Sequence, residues 1–222
     1  MLSDFLSLIY PATCLNCNQT LISAENFICT SCKVDFPLTN DHVNPENELY
    51  QKFAAEPLVR SASSYLYFNE GGIAQKLIHA LKYEGASQVG NMLGSLYGKS
   101  ISQDFKPEII APVPIHKKRL KKRGYNQSLG IAVGLAEHFD GAEVRDDLVF
   151  RVKNTETQTK RNKVSRWLNV ENIYSNIEED LTGKEVLVVD DVITTGATVG
   201  MLCSKLREAN VASIHIVCAA RG

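Results

Sequence analysis

The stretch VLVVDDVITTGAT, residues 186–198, decides which fold the chain is expected to adopt. Its apolar, β-branched start over 186–189 is typical of a buried parallel strand, and two adjacent carboxylates, Asp190 and Asp191, follow it. A threonine-rich turn comes next, and apolar residues then recur at helical spacing, so we expect a helix to begin near Thr198. The stretch therefore predicts a strand, a loop and a helix N-terminus in direct succession.

Such a loop is typical of a phosphate-binding site. The unpaired N–H groups of the loop, the threonine hydroxyls and the positive end of the helix dipole converge there. Two carboxylates beside a phosphate suggest a ligand that also carries hydroxyl groups or a cation, such as a sugar phosphate with magnesium. The alternative is an ordinary α/β turn in which Asp and Thr serve as caps.

The loop lacks the signatures of two common nucleotide sites. It has no Gly-Lys-Ser/Thr ending and is therefore not a Walker A motif. Its one glycine, Gly196, does not make the three-glycine dinucleotide fingerprint. The order of strand, two acids, two apolar residues and Thr-Thr-Gly-x-Thr instead resembles the phosphoribosyl diphosphate (PRPP) motif of type I phosphoribosyltransferases.

A group of cysteines near the N-terminus predicts a metal site. Cys14, Cys17, Cys29 and Cys32 form two Cys-x-x-Cys pairs about a dozen residues apart. Tetrahedral zinc binds four thiolates from two such knuckles, and the metal would stabilise a segment with few apolar residues. Four thiolates leave zinc no open position, so the zinc would be structural. Disulfides and redox-active pairs are the alternatives.

The chain of 222 residues is long enough for one α/β domain and a small appendage. We expect residues 1–57 to hold the zinc segment and a polar linker, and residues 58–222 to form the main domain. Strands alternate with helices there, which predicts a mostly parallel sheet with helices on both faces and a ligand at the carboxyl ends of the strands. We place the strands near 58–68, 109–114, 148–152, 186–189 and 213–217.

Charge and hydropathy restrict the partners and the location. The formal net charge of −1 gives the whole protein no electrostatic preference for nucleic acid or for a membrane surface. No apolar run approaches the roughly 20 residues of a membrane span. The N-terminus lacks the basic and apolar regions of a signal peptide. We therefore expect no membrane insertion and a cytoplasmic protein.

The run HKKRLKKR, residues 116–123, is the densest concentration of charge in the chain. It fits a solvated surface, a nucleic-acid patch, or a basic loop that faces the acids and binds a diphosphate. The prolines before the run and the sequence RGYNQ at its end favour the diphosphate interpretation. Arginine binds phosphate in a bidentate manner, so Arg119 and Arg123 are the first candidates, with Lys117 and Lys122 beside them.

With these features in order, the chain resembles the ComF family of competence-associated proteins over nearly its full length. The resemblance rests on the N-terminal cysteines, the PRPP loop and short motifs between them. The motif positions are Lys82, Tyr83, Tyr125, Asn126, Gln127, Gln158, Arg166 and Asn169. Arg161 departs from the pattern, because many members carry an aliphatic residue there. The resemblance implies a type I phosphoribosyltransferase fold with a zinc-binding N-terminal segment.

The resemblance also implies roles for individual residues. Asp190 and Asp191 would hold the ribose hydroxyls of PRPP, directly or through magnesium, and the basic loop would face the diphosphate. The 5′-phosphate loop would consist of Thr194, Thr195, Gly196, Ala197 and Thr198. Purine-salvage members of the wider superfamily carry an acid in place of Thr194, where it can act as a base, so a purine acceptor is disfavoured here.

Two functions follow from these expectations, and the sequence leaves open whether the protein is an enzyme. The first is a phosphoribosyltransferase-like protein that transfers phosphoribose from PRPP or only binds PRPP. The second is a non-catalytic accessory protein of DNA uptake that binds single-stranded DNA through the zinc segment and the basic loops. The resemblance implies the helicase and uptake proteins of competence as partners.

Overall fold

The computed structural model describes residues 11–83, 87–101, 105–152 and 173–222. They form a five-stranded sheet in the order β1-β5-β4-β2-β3, and neighbouring strands are parallel. The strands are β1 (Val59–Tyr67), β2 (Ile109–Pro112), β3 (Glu143–Val144), β4 (Glu185–Ile193) and β5 (Ser213–Arg221). The α-helices are α1 (Thr30–Val34), α2 (Glu48–Gln51), α3 (Ile73–Tyr83), α4 (Ser87–Gly98), α5 (Lys117–Arg123), α6 (Gln127–Ala136) and α7 (Ala197–Glu208). None of these helices has the length and apolarity that crossing a lipid bilayer requires.

The central strand β4 is apolar on both faces because helices cover both sides of the sheet. Leu187 and Val189 pack in one core cluster with residues of α3, α4 and α6. Val186 and Val188 point to the other face and pack in a second cluster with residues of α7. The expected fold class, a parallel α/β sheet with helices on both faces, is confirmed.

Helices α4 and α6 pack with their backbones in contact, because glycines face each other across the interface. A Cβ atom at Gly94 would lie 2.1 Å from the carbonyl oxygen of Ile131, and one at Gly134 would lie 2.0 Å from that of Asn91. Any side chain at these glycines would force the helices apart. The close approach therefore fixes α6, whose first turn reaches the carboxyl edge of the sheet.

The strand β4 is longer than the sequence indicated. We expected it to end at Val189, but it includes both carboxylates because β5 continues to pair with it, through Val192 with Ala220 and Ile193 with Arg221. On its other side, pairing with β2 ends at Val189. Beyond that point one edge of β4 is open.

Two further expectations need correction. Residues 148–152 do not form a regular strand; Arg151 makes only an isolated bridge with Tyr174. The basic run forms the helix α5 instead of a loop, since lysine and arginine favour helices and Gly124, at φ +83°, ends the helix.

The segment that we expected to be a linker packs against the sheet. Asp41, in a 3₁₀ turn, accepts hydrogen bonds from the guanidinium of Arg221 at 2.9 and 3.2 Å and from the Ser64 hydroxyl at 2.7 Å. Arg221 also pairs with Glu48 at 2.6 Å. Asp41 and Arg221 are both buried, and each is satisfied by several partners, as a buried ion pair requires. The division of the chain at residue 57 stays a prediction.

We predict that Gly94→Ala lowers the free energy of unfolding by about 1–3 kcal/mol or more, because the added methyl group collides with the backbone of α6. The matched control is Gly200→Ala in α7, where a Cβ would meet no atom within 4 Å. This control should raise stability by about 0.5–1 kcal/mol through helix propensity. Urea denaturation measures both, and equal stabilities of wild type and Gly94→Ala would contradict the packing described here.

Candidate functional site

The loop after β4 forms a small hollow at the N-terminus of α7. Gly196 lies in the left-handed region at φ +76°, which turns the chain directly from the loop into the helix. Its carbonyl accepts the N–H of Gly200 at 2.8 Å, and the N–H of Ala197 donates to the Thr195 hydroxyl at 3.4 Å. The first N–H groups of a helix have no carbonyl partner within the helix, so they point toward the hollow's ligand side. The hollow has a volume of about 50 Å³ and is lined by Asp190 and residues 192–199. It has the form expected of a phosphate-binding loop.

The two carboxylates lie beside this hollow and are partly buried. Asp190 accepts a hydrogen bond from the hydroxyl of Ser128 at 3.1 Å, so the first turn of α6 orients it. Asp191 pairs with the ammonium of Lys82, at the end of α3, with 3.0 Å between Nζ and Oδ2. Two helices that pack in the same core cluster, α3 and α6, therefore hold the acid pair.

Burial, and then the neighbouring charge of Asp191, raise the pKa of Asp190 to about 7. A cation that contacts both of these adjacent, partly buried carboxylates would stabilise their ionised forms. Oxygen donors of this kind are the ligands that Mg²⁺ prefers, together with water and the phosphates of a substrate. The side chains present therefore fit a magnesium ion bound together with a phosphorylated ligand.

The helix α5 presents two arginines to the site. His116 caps its N-terminus by accepting the N–H of Lys118 at 3.2 Å, and Gly124 ends it. Arg119 and Arg123 are four residues apart and so lie on one side of the helix. Arg123 also donates to the side chain of Gln127 at 2.7 Å, which links α5 to α6.

A cleft of about 230 Å³ unites these groups at the carboxyl edge of β4. Its walls share Asp190, Val192 and Thr198 with the phosphate hollow. The charged residues that line it are Lys82, Arg119, Arg123, Arg151, Asp190 and Asp191. Anionic and hydroxyl-bearing parts of one ligand could therefore be bound side by side.

Most of the described residues that the sequence singled out meet at this cleft. Asn126 and Gln127 line it, and Asn126 also caps α6 by accepting the N–H of Ser128 at 3.2 Å. Tyr125 supports the wall, since its hydroxyl donates to the carbonyl of Leu81. Lys117 and Lys122 do not line the cleft and point to solvent. The side chain of Tyr83 and the positions Gln158, Arg166 and Asn169 lie outside the described residues, as does Arg161.

Sequence reasoning missed two residues of the cleft. Ser128, which contacts Asp190, was overlooked because a serine in the first helical turn usually signals only capping. Arg151 lines the cleft close to the bridge that it makes with Tyr174. A basic residue near the carboxyl edge of the sheet was the available signal, because ligands of parallel sheets bind there.

The four N-terminal cysteines form a separate cluster in which all the sulfur atoms lie within 4.8 Å of one another. In a tetrahedral site with Zn–S bonds of about 2.3 Å, neighbouring sulfurs lie about 3.8 Å apart. The Sγ atoms of Cys17 and Cys29 are 3.7 Å apart, too far for a disulfide and close to the tetrahedral value. Burial opposes ionisation of Cys14, but N–H donors around its sulfur lower its pKa to about 6. The cluster could hold a zinc ion.

Comparisons with known proteins agree with this architecture. Residues 126–222 match the family model described as "Phosphoribosyl transferase domain". Competence protein F of Haemophilus influenzae is 28% identical, with 91% of this chain and 94% of that protein covered. Competence protein ComFC of Bacillus subtilis is 25% identical over 92% of this chain and 83% of its own length. DNA utilization protein YhgH of Escherichia coli K12 is 25% identical over 96% of this chain and 99% of its own length.

Two solved structures show a weaker likeness. The allosteric regulatory enzyme of purine biosynthesis has a TM-score of 0.42 and 18% identity, over 64% of this chain and 30% of that one. Leishmania donovani UMP synthase has a TM-score of 0.37 and 18% identity, over 78% of this chain and 31% of that one. The domain match and the relatives that extend over most of the chain support a phosphoribosyltransferase-like protein of the ComF family.

Proposed function

We propose that the protein binds PRPP together with Mg²⁺ in the cleft at the carboxyl edge of β4. One observation carries the proposal: the hollow of the phosphate loop adjoins the cleft that is lined by the carboxylate pair and the arginines of α5, and the two share Asp190 and Thr198. PRPP carries a phosphate at one end, ribose hydroxyls in the middle and a diphosphate at the other end. The hollow and the cleft together offer one group of residues for each of these parts.

Each part of PRPP has a matching set of residues. The loop from Thr194 to Thr198 receives the 5′-phosphate through N–H groups and hydroxyls at the helix N-terminus. Asp190 and Asp191 accept hydrogen bonds from the ribose hydroxyls. Arg119 and Arg123 bind the diphosphate, for which the planar guanidinium offers paired donors.

Transfer of phosphoribose would break the bond between ribose C1 and the diphosphate oxygen and form a bond from C1 to an acceptor. Positive charge develops on the ribose in this step, and the leaving diphosphate gains negative charge, which the arginines stabilise. Bound magnesium supplies further charge neutralisation to the diphosphate. The loop carries Thr194 where related purine-salvage enzymes carry an acid. We therefore propose an acceptor that attacks without help from a base in the loop.

The ammonium of Lys82 has a specific place in this scheme. It pairs with Asp191 at 3.0 Å, where it occupies one side of the acid pair. We propose that Lys82 neutralises Asp191 in the ligand-free protein and would be free to contact the diphosphate if a cation were bound between the two acids.

We predict that Asp190→Asn together with Asp191→Asn weakens PRPP binding by about tenfold or more, because hydrogen bonds to charged groups are lost. Asparagine keeps an acceptor for Ser128, so the fold should survive. Isothermal titration calorimetry in magnesium measures the affinity, and circular dichroism checks the fold. The matched control is Asp140→Asn, an exposed acid outside the cleft. An affinity equal to that of wild type in the double variant would contradict the assignment.

The same variants test transfer. Labelled PRPP, magnesium and a cell extract are incubated with wild-type protein, and molecules that acquire phosphoribose are separated and counted. We expect labelling by wild type and by Asp140→Asn. Labelling that is equally strong with the double variant would come from chemical decay of PRPP or from other enzymes, and would count against catalysis at this cleft.

One observation favours a second function, the handling of single-stranded DNA. The lysines of α5 are exposed and none of them lines the cleft; they are Lys117, Lys118, Lys121 and Lys122. Such a row of cations can neutralise a phosphate backbone. The names of the relatives refer to competence and DNA utilization. On this basis we propose a cytoplasmic role beside the helicase and uptake proteins that handle incoming DNA.

Substitution of these four lysines by glutamine should weaken binding to an oligodeoxythymidylate and leave PRPP binding unchanged. The slope of log affinity against log salt should fall by about 0.7 for each phosphate contact that is lost. The matched variant, Arg119→Gln with Arg123→Gln, should instead weaken PRPP binding. Fluorescence anisotropy over a salt series measures the affinity for the oligodeoxythymidylate. An affinity that does not depend on salt would exclude the second function.

We propose that the cysteine cluster binds a structural zinc ion. Purified protein should contain about one equivalent of zinc, since four thiolates complete a tetrahedral site. Cys14→Ser should lose the metal and lower the melting temperature, because metal binding supplies folding free energy. Cys203→Ala, which removes a buried thiol far from the cluster in sequence, should keep the zinc. Elemental analysis decides, and a metal-free, fully folded wild type would contradict the proposal.

A further inference from the structure

The residues after α2 lie against the phosphate loop. The ammonium of Lys52 donates a hydrogen bond to the carbonyl oxygen of Thr194, the first residue of the loop. It also lies 3.4 Å from the carbonyl oxygen of Gly222. Thr194 follows β4 directly, so this bond fixes the backbone at the point where the chain leaves the sheet.

Phe53 packs against the turn of the same loop. It is 4% exposed and belongs to the core cluster that also contains Ile193 and Val199. A Cβ atom at Gly196 would lie 2.9 Å from Cζ of this ring. The ring therefore fills the space where any side chain at position 196 would project, and it limits the positions available to the loop backbone.

The phosphate hollow has no basic side chain among the residues that line it. A phosphate monoester bound there carries a charge close to −2, and the loop itself offers only N–H groups, hydroxyls and the helix dipole. The arginines Arg119 and Arg123 line the other part of the site. Lys52 brings a positive charge to the edge of the hollow through its bond to Thr194.

Several contacts fix the segment that carries Lys52 and Phe53. Asn47 caps α2 by accepting the N–H of Tyr50 at 3.0 Å, and its amide donates to the carbonyl of Ala62 in β1 at 2.8 Å. Glu48 pairs with Arg221 at the end of β5. Lys52 and Phe53 are thus held relative to the sheet from which the phosphate loop extends.

We propose that Lys52 and Phe53 are positioning residues of the phosphate subsite, contributed by the segment that follows the cysteine cluster. Phe53 sets the path of the loop through Gly196. Lys52 holds the Thr194 carbonyl and raises the electrostatic potential where a phosphate monoester binds. The identity of the ligand as PRPP rests on the function proposed above, whereas the role of the two residues in shaping the loop does not.

The test compares Lys52→Met, Lys52→Arg and Phe53→Leu with a control, Lys99→Met, an exposed lysine at the end of α4. Ribose 5-phosphate probes the loop, and inorganic diphosphate with magnesium probes the arginine side. Lys52→Met should weaken ribose 5-phosphate binding by about two- to fivefold, as expected for one exposed charge, and leave diphosphate binding unchanged. The loss should shrink as salt is added, and Lys52→Arg should restore the affinity.

Hydrogen exchange of the ligand-free proteins tests the positioning role without any ligand. Amides of residues 200–203, which donate to carbonyls of the loop and of the first turn of α7, should exchange faster in Lys52→Met and Phe53→Leu than in wild type or Lys99→Met, because the loop loses its support. Unchanged exchange would overturn the proposal, whatever ligand the wild type binds. An equal loss of diphosphate affinity would also overturn it, since that indicates general damage. If wild-type protein binds ribose 5-phosphate but not PRPP, the proposed function is refuted. The hydrogen-exchange result then decides alone whether Lys52 and Phe53 position the loop.

Discussion

The open edge of β4 beyond Val189 is the constraint on which the site depends. β2 stops pairing there because Pro112 and Pro114 lack N–H groups and cannot continue a ladder, whereas β5 still pairs with β4 up to Ile193. The central strand is therefore held on one side and free on the other over its last residues. At this end of the strand Lys82 of α3 and Ser128 of α6 contact the carboxylates, and the arginines of α5 line the same cleft.

Charge balance explains why the cleft tolerates so many ionised groups. Asp190 and Asp191 share the cleft with the cations of α3 and α5, and burial, followed by the charge of Asp191, raises the pKa of Asp190. Under the proposed function, a ligand that brings both phosphates and a divalent cation would satisfy the arginines and the acids together, whereas the carboxylates would repel a simple anion.

The sequence predicted the parallel sheet, the phosphate loop and the cysteine cluster, because each depends on local periodicity or on fixed spacing. The predictions from sequence were wrong where contacts between distant parts of the chain determine the local structure. The length of β4 follows from its pairing with β5, which no local pattern at Asp190 reveals. The helical state of the basic run depends on His116 and Gly124 acting as ends. The polar residues between Lys33 and Pro57 looked like a linker because Asp41 and Asn47 are buried only through partners in distant strands.

The ion pair between Arg221 and Asp41 joins positions 180 residues apart in sequence. Contacts of such separation form late, because a long loop must close before they contribute any free energy. β5 is also synthesised after every other described element. While the chain is still growing, Asp41 has no arginine partner, and β4 lacks the neighbour that holds its carboxylates in place. The last strand to be synthesised is therefore the one that completes both the buried ion pair and the backbone support of the carboxylates.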